Sequence, residues 1–124
     1  MPYRVAFDKA DGIVYVTYSG TVSKEEHLAA WTAAAQSCAE HACDRLLVDF
    51  HDLSVNTLST MDCYSFGKMV AQSAPFLNIA HVLPKYPKAC ENVQFASDVE
   101  ANRGKKTGVF VTVEEARKWL LGLK

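Results

Sequence analysis

Residues 46–67 read LLVDFHDLSVNTLSTMDCYSFG, and the first part of this stretch decides the fold class. The run over 45–50 is short and apolar between polar flanks, which is typical of a parallel strand covered on both faces. A polar loop over 53–58 and a helix over about 59–74 are predicted to follow. Three polar side chains mark the expected end of the strand: Asp49, His51 and Asp52.

An antiparallel hairpin is predicted at the start of the chain. Apolar and polar residues alternate over about 3–8 and 12–19, and the Asp-Gly pair at 11–12 is a common hairpin turn signal. Two more strands are predicted over 76–83 and 108–112, because both are short apolar runs between turn or capping residues.

Helix starts can be recognised from capping boxes. Ser23 is followed three residues later by Glu26, and Thr112 is followed in the same way by Glu115. Apolar residues then recur at helical spacing behind each cap. The first stripe is Leu28, Trp31, Ala35 and Cys38, and the second is Ala116, Trp119, Leu120 and Leu123. Another helix is predicted over about 88–103.

The predicted elements follow the order β-β-α-β-α-β-α-β-α. Strands that alternate with helices imply parallel pairing through right-handed crossovers, and the hairpin adds one antiparallel strand. The sequence therefore predicts one compact α/β domain over residues 1–124, with a mixed, mostly parallel sheet of about five strands.

Composition and charge exclude several functional classes. The 124 residues include 13 Lys and Arg and 14 Asp and Glu, a net charge of -1, so no nucleic-acid partner is expected. No apolar run approaches the ~20 residues of a membrane-spanning helix. The first residues lack a signal peptide's apolar core, so we expect a cytoplasmic protein. Without export, the four cysteines are expected to be free thiols: Cys38, Cys43, Cys63 and Cys90.

The opening hairpin, the strand LLVDFHDL and the ending GVFVTVEEARKWL together resemble the SpoIIAA-like (STAS) family. This is the domain of bacterial anti-sigma factor antagonists, and the chain is most similar to a STAS/SEC14-like branch of largely unassigned function. The resemblance covers nearly the whole chain and implies the SpoIIAA-like fold with a binding or regulatory role. Fold similarity alone does not establish function.

The same resemblance points to residues at the start of the predicted 59–74 helix. In the regulatory family this helix begins Asp-Ser-Ser-Gly-Leu-Gly, and the second serine is phosphorylated. Here the segment reads DCYSFG, so Asp62 and Phe66 fit the motif, whereas Cys63 and Tyr64 stand in place of the serines. The resemblance implies that Tyr64 faces a partner or ligand, and a serine phosphoswitch of the familiar form is not expected.

The sequence lacks complete motifs for several catalytic and metal-binding arrangements. A receiver-like phosphoacceptor site would use Lys85, from VLPK, but it also needs an acidic pair after the first parallel strand. The segment CAEHAC over 38–43 suggests zinc, yet a structural zinc site normally needs a second ligand pair. No Cys-x-x-Cys, Gly-x-Ser-x-Gly or Gly-rich phosphate motif occurs. His81 lies in an apolar strand and is interpreted as a core histidine.

Three functions remain, and the first is favoured. It is a non-enzymatic binding or regulatory module that presents the rim around the 59–74 helix to a protein partner or small ligand. The first alternative is a carrier or sensor of a small apolar or lipid-like ligand, and the second is a small hydrolase that uses Asp49 or Asp52. No cofactor or metal is expected, and a homodimer is left open. The candidate binding residues are Asp52, Asp62, Tyr64, Phe66 and Lys85.

Overall fold

The computed structural model describes residues 3–56, 61, 78–85, 93–94, 97–99, 101 and 106–122. Five strands and two helices have defined bounds within these ranges. They are β1 (Tyr3–Asp8), β2 (Ile13–Val22), α1 (Lys24–Glu40), β3 (Arg45–Asn56), β4 (Asn78–Val82), β5 (Lys106–Phe110) and α2 (Val113–Leu121). Met61 and residues 93–94, 97–99 and 101 are also helical, in agreement with helices predicted over 59–74 and 88–103.

The five strands form one mixed sheet in the order β1-β2-β3-β4-β5. β1 runs antiparallel to β2, whereas β2, β3, β4 and β5 are parallel to one another. This arrangement confirms the predicted α/β domain with an opening hairpin and a mostly parallel sheet. No helix in the described part of the chain is long and apolar enough to cross a membrane.

The hairpin closes through a turn over residues 9–12. Gly12 has a φ of 68°, a left-handed conformation that glycine adopts without steric cost. Its amide donates to the Asp8 carbonyl at 2.8 Å, and the Asp11 amide donates to the Asp8 carboxylate at 3.1 Å. Arg117 Nε then donates to the Asp11 carboxylate at 2.7 Å, so this turn is also tied to α2.

The sheet has an apolar core on each face. We call the side covered by α1 the α1 face and the side covered by α2 the α2 face. On β3, Leu46 and Val48 belong to the α1 face and Leu47 to the α2 face, because successive side chains of a strand point to opposite sides. The prediction of a strand covered on both faces is therefore confirmed.

The buried side of α1 differs from the predicted stripe. Cys38 is buried as expected, but Leu28 is 40% exposed. The helix instead turns its small residues toward the sheet, where they allow close approach. Its buried residues are His27, Ala30, Ala34 and Cys38. His27 joins them because its ring packs against Tyr18 at 4.8 Å, a contact that a hydrophobicity pattern does not reveal.

β3 is longer than predicted. The sequence placed the strand end near residue 50 and a loop over 53–58, but β3 continues to Asn56. The reason is that β2 also extends beyond the predicted residue 19, to Val22, and keeps pairing with β3. Register irregularities interrupt this pairing between Thr17 and Ser19 and again after Gly20. The Asp49–Asp52 segment therefore lies within a strand.

The C-terminal elements follow the prediction with a shift. β5 is Lys106–Phe110 where 108–112 was predicted. Thr112 caps α2, since its hydroxyl accepts a hydrogen bond from the Glu115 amide at 3.2 Å. The Glu115 carboxylate accepts a hydrogen bond from that hydroxyl at 3.1 Å. In a complete capping box it would instead accept one from the Thr112 backbone amide. At α1 the predicted Ser23 box is complete.

Candidate functional site

The edge of the sheet where the parallel strands end, here called the carboxyl edge, contains the candidate site. Asp52 lies on the extended part of β3, and Lys85 lies three residues beyond the end of β4. Asp52 Oδ1 and Lys85 Nζ are 4.0 Å apart, and both side chains are about three-fifths exposed, at 62% and 61%. Two of the five predicted binding residues are thus brought together across neighbouring strands.

This ion pair contributes little to the stability of the fold. Exposed pairs at this separation are typically worth about 0–1 kcal/mol, because water screens the charges and long side chains lose entropy. Both groups therefore remain accessible for recognition. In open α/β sheets, ligands and partners are commonly bound at the carboxyl ends of the strands.

Asp49 has a different environment from Asp52. It is partly buried, and its Oδ1 accepts a hydrogen bond from the His51 amide at 2.9 Å. This contact is the turn-type hydrogen bond expected of aspartate at irregular backbone. The three polar residues of the opening stretch therefore do not converge on one point: Asp49 binds the backbone, and Asp52 faces Lys85.

The CAEHAC segment is held by contacts within the fold. The His41 ring stacks on Phe7 with centroids 4.0 Å apart, and the Cys43 thiol donates to the Gly12 carbonyl at 3.1 Å. Cys38 and Cys43 are free thiols, and burial raises the pKa of Cys38 to about 12. Among the described residues, no three His, Cys, Asp or Glu side chains are grouped as a metal site requires.

A row of mostly buried rings crosses the α1 face beside the carboxyl edge, and no sequence pattern indicated it. Tyr18 packs on His27 at 4.8 Å and on Phe50 at 5.1 Å, and Phe50 stacks with His81 at 6.3 Å. Burial lowers the pKa of His27 to about 4 and raises that of Tyr18. His81 is buried, which confirms the interpretation as a core histidine. Only the strand register, which sequence does not give, could have revealed the row.

The remaining candidates, Asp62, Tyr64 and Phe66, lie outside the described residues. Among the large apolar side chains of the described residues, the two most exposed are Met61, at 72%, and Val111, at 66%. Val111 directly follows β5 and so lies at the carboxyl edge. Exposed apolar groups beside exposed charges are common in protein-binding surfaces.

An open depression of about 620 Å³ lies on the hairpin, away from the predicted site. A carrier of a small apolar ligand needs an apolar pocket, whereas this depression has charged and polar residues in its lining. Those residues come from β1, the turn and β2: Arg4, Ala6, Phe7, Asp8, Lys9, Ala10, Tyr15 and Thr17. No sequence pattern indicated this depression, since its lining is assembled from two paired strands and the turn between them.

The architecture defines a SpoIIAA-like fold. A solved structure similar to this chain is that of an uncharacterized protein from the DUF3478 family, with a SpoIIAA-like fold, from Shewanella loihica PV-4. The TM-score is 0.57, the identity is 14%, and the match covers 95% of this chain and 91% of that chain. At this identity the likeness shows the fold alone. No protein-family model matches the chain, and no curated protein matches it either.

Proposed function

We propose that this protein is a non-enzymatic binding or regulatory module that presents its carboxyl edge to a protein partner. The observation that supports the proposal is the exposed Asp52–Lys85 pair, with its 4.0 Å separation at the ends of β3 and β4. A pair that adds little to stability, with Asp52 on β3 and Lys85 shortly after β4, is well suited to recognise complementary charges.

Exposed apolar residues favour a protein over a small polar ligand. Val111 has an exposed apolar side chain at the same edge. A second exposed apolar side chain is that of Met61, which lies five residues beyond the end of β3 in the sequence. Interfaces commonly combine apolar contact area with a charged rim. The resemblance to anti-sigma factor antagonists is consistent with a protein partner, and Tyr64 and Phe66 are proposed to extend the contact.

The hydrolase alternative is less well supported by these contacts. Catalysis by a carboxylate needs a group to activate, a partner of matched pKa and a fixed geometry between them. The Asp49 carboxylate accepts the His51 amide, and the Asp52 carboxylate faces a lysine that is largely exposed. Both contacts are those of structural or recognition residues.

Charge-reversal variants test the proposal. Asp52→Lys and Lys85→Glu alter the carboxyl edge, whereas Asp44→Lys and Lys106→Glu make the same changes at exposed positions where β3 and β5 begin. Each tagged variant is used to capture partners under identical conditions, and the recovered proteins are quantified against wild type. A protein partner recovered by wild type and both controls, but reduced at least tenfold by the edge variants, is expected.

Equal recovery by edge variants and controls would contradict the proposal. Native mass spectrometry of the gently purified protein addresses the carrier alternative separately, because a bound lipid-like molecule would add a fixed mass. A retained apolar ligand whose occupancy is unaffected by Asp52→Lys would favour the carrier.

A further inference from the structure

Among the described residues, the outer edge of β1 is an unpaired strand edge with charged side chains along it. Within the described part of the chain, β1 has β2 as its neighbour on one side, and its other side carries no strand. Such an edge presents alternating backbone N–H and C=O groups that can pair with another strand. β1 is regular over its six residues, with an unbroken register against β2.

Side chains of opposite charge are placed symmetrically along this edge. Arg4, Ala6 and Asp8 alternate on one face of β1, and Ala6 lies midway between the two charges. Arg4 and Ala6 are exposed, and Asp8 is partly exposed. The Asp8 Oδ1 atom accepts a hydrogen bond from the Asp11 amide within the turn, and the second carboxylate oxygen can accept another hydrogen bond.

The positions of Arg4 and Asp8 favour one register when two copies of β1 pair side by side. An antiparallel pair related by a two-fold axis normal to the sheet keeps equivalent faces on the same side. If the axis passes midway between the two Ala6 residues, Arg4 of each copy lies opposite Asp8 of the other. Opposite charges directly across a strand pair are stabilising. An axis through either neighbouring residue instead leaves both charges opposite uncharged side chains.

We propose that this edge binds a second copy of this chain, with the two β1 strands antiparallel and centred on Ala6. The two five-stranded sheets then form one continuous sheet, closed by two Arg4–Asp8 pairs. On the other face, Val5 of each copy lies opposite Phe7 of the other. Both side chains are partly buried against the core of the α1 face, and the partner strand covers their outer sides.

The opposite edge of the sheet lacks this complementarity. β5 contains one charged residue, Lys106, so pairing two copies of β5 brings no opposite charges together. The β1 contact also lies apart from the Asp52–Lys85 pair and does not depend on the function proposed for that pair. Loss of one interaction therefore leaves the other measurable.

Two single variants and their mixture test the register directly. Arg4→Asp places two acidic residues on each edge, and Asp8→Arg places two basic residues there, so each variant repels itself. An equimolar mixture restores both opposite-charge contacts. Sedimentation velocity is expected to show a wild-type dimer, a dissociation constant raised at least tenfold for each single variant, and recovery in the mixture. Native mass spectrometry of chains carrying different tags should identify the recovered species as the heterodimer.

The controls separate loss of pairing from loss of folding. Lys106→Asp makes a charge change equal to Arg4→Asp at the opposite edge and should leave dimerisation unchanged. Thermal melts should show that Arg4→Asp, which leaves the turn contact of Asp8 intact, remains folded. A wild-type chain that stays monomeric at several hundred micromolar would overturn the proposal. A dimer indifferent to both edge variants would also overturn it, because another surface would then form the contact.

A cysteine at the symmetry axis provides an independent measurement. Ala6→Cys places two thiols opposite each other in the proposed dimer, whereas Ala10→Cys places a thiol in the exposed turn. Mild oxidation should join Ala6→Cys chains through position 6, as mapped by peptide mass spectrometry, at least tenfold more efficiently than Ala10→Cys chains. Equal efficiency at the two positions would contradict the register.

Discussion

The packing of α2 against the sheet can be tested with two neighbouring leucines. Leu120 is completely buried in the core of the α2 face, with Leu47, Ala80 and Val82 from the strands. Leu121 is the next residue of the same helix and is 39% exposed. Replacing either with alanine changes helix propensity very little, so the difference between the variants reports burial.

The expected magnitudes follow from that burial. Removing a fully buried leucine side chain costs the lost transfer free energy plus a cavity term, typically about 2–5 kcal/mol. We expect Leu120→Ala to lower the free energy of unfolding by about 3 kcal/mol, and Leu121→Ala by no more than about 1 kcal/mol. For a domain of this size, about 3 kcal/mol corresponds to a Tm decrease of roughly 10–15 °C.

Urea denaturation followed by circular dichroism gives both free energies, with the slope m as a check on two-state behaviour. Two equal losses, or a larger loss for Leu121→Ala, would refute the orientation of α2 described above. Unchanged stability in both variants would show that α2 does not contribute to the core.

Three further measurements follow from the structure. The Trp119 ring is only partly buried and packs on the Phe110 ring, with centroids 5.4 Å apart. Trp119→Ala should therefore lower the free energy of unfolding measured in urea by about 2–3 kcal/mol, near or below the lower end of the range for buried aromatics. Burial lowers the pKa of His27 to about 4, so as the pH falls the unfolded state binds a proton at this residue before the folded state does. The free energy of unfolding should therefore fall by up to about 3 kcal/mol as the pH decreases from 6.5 to 4. His27→Phe should flatten this dependence in pH-dependent melts, and an unchanged slope would contradict it. Cys38 and Cys43 should react slowly with a thiol reagent in the native protein, while all four cysteines should react in denaturant.

Local sequence signals predicted much of the fold because they depend on neighbouring residues. The turn at Gly12 and the cap at Ser23 each rest on hydrogen bonds within a few residues. The alternation of strands and helices then limited the topology to a mostly parallel sheet. These features required no knowledge of distant contacts.

The errors arose where distant contacts decide the structure. The buried side of α1 depends on Ala30 and Ala34, whose weak hydrophobicity did not outweigh that of Leu28. The length of β3 depends on continued pairing with β2 up to Val22. The sequence singled out both Asp52 and Lys85, but their 4.0 Å separation depends on the adjacency of β3 and β4. The ring row at Tyr18 likewise depends on register.

The position of α2 in the chain has a consequence for biosynthesis. Each strand of the sheet lies next to the strand that precedes it in sequence, so the sheet can grow outward as the polypeptide leaves the ribosome. α1 can cover its face early, whereas α2 follows every strand and reaches Ile13 and Leu47 only at the end. A nascent chain at this stage therefore displays an apolar sheet face to solvent, and translation pausing before Val113 would prolong its need for a chaperone.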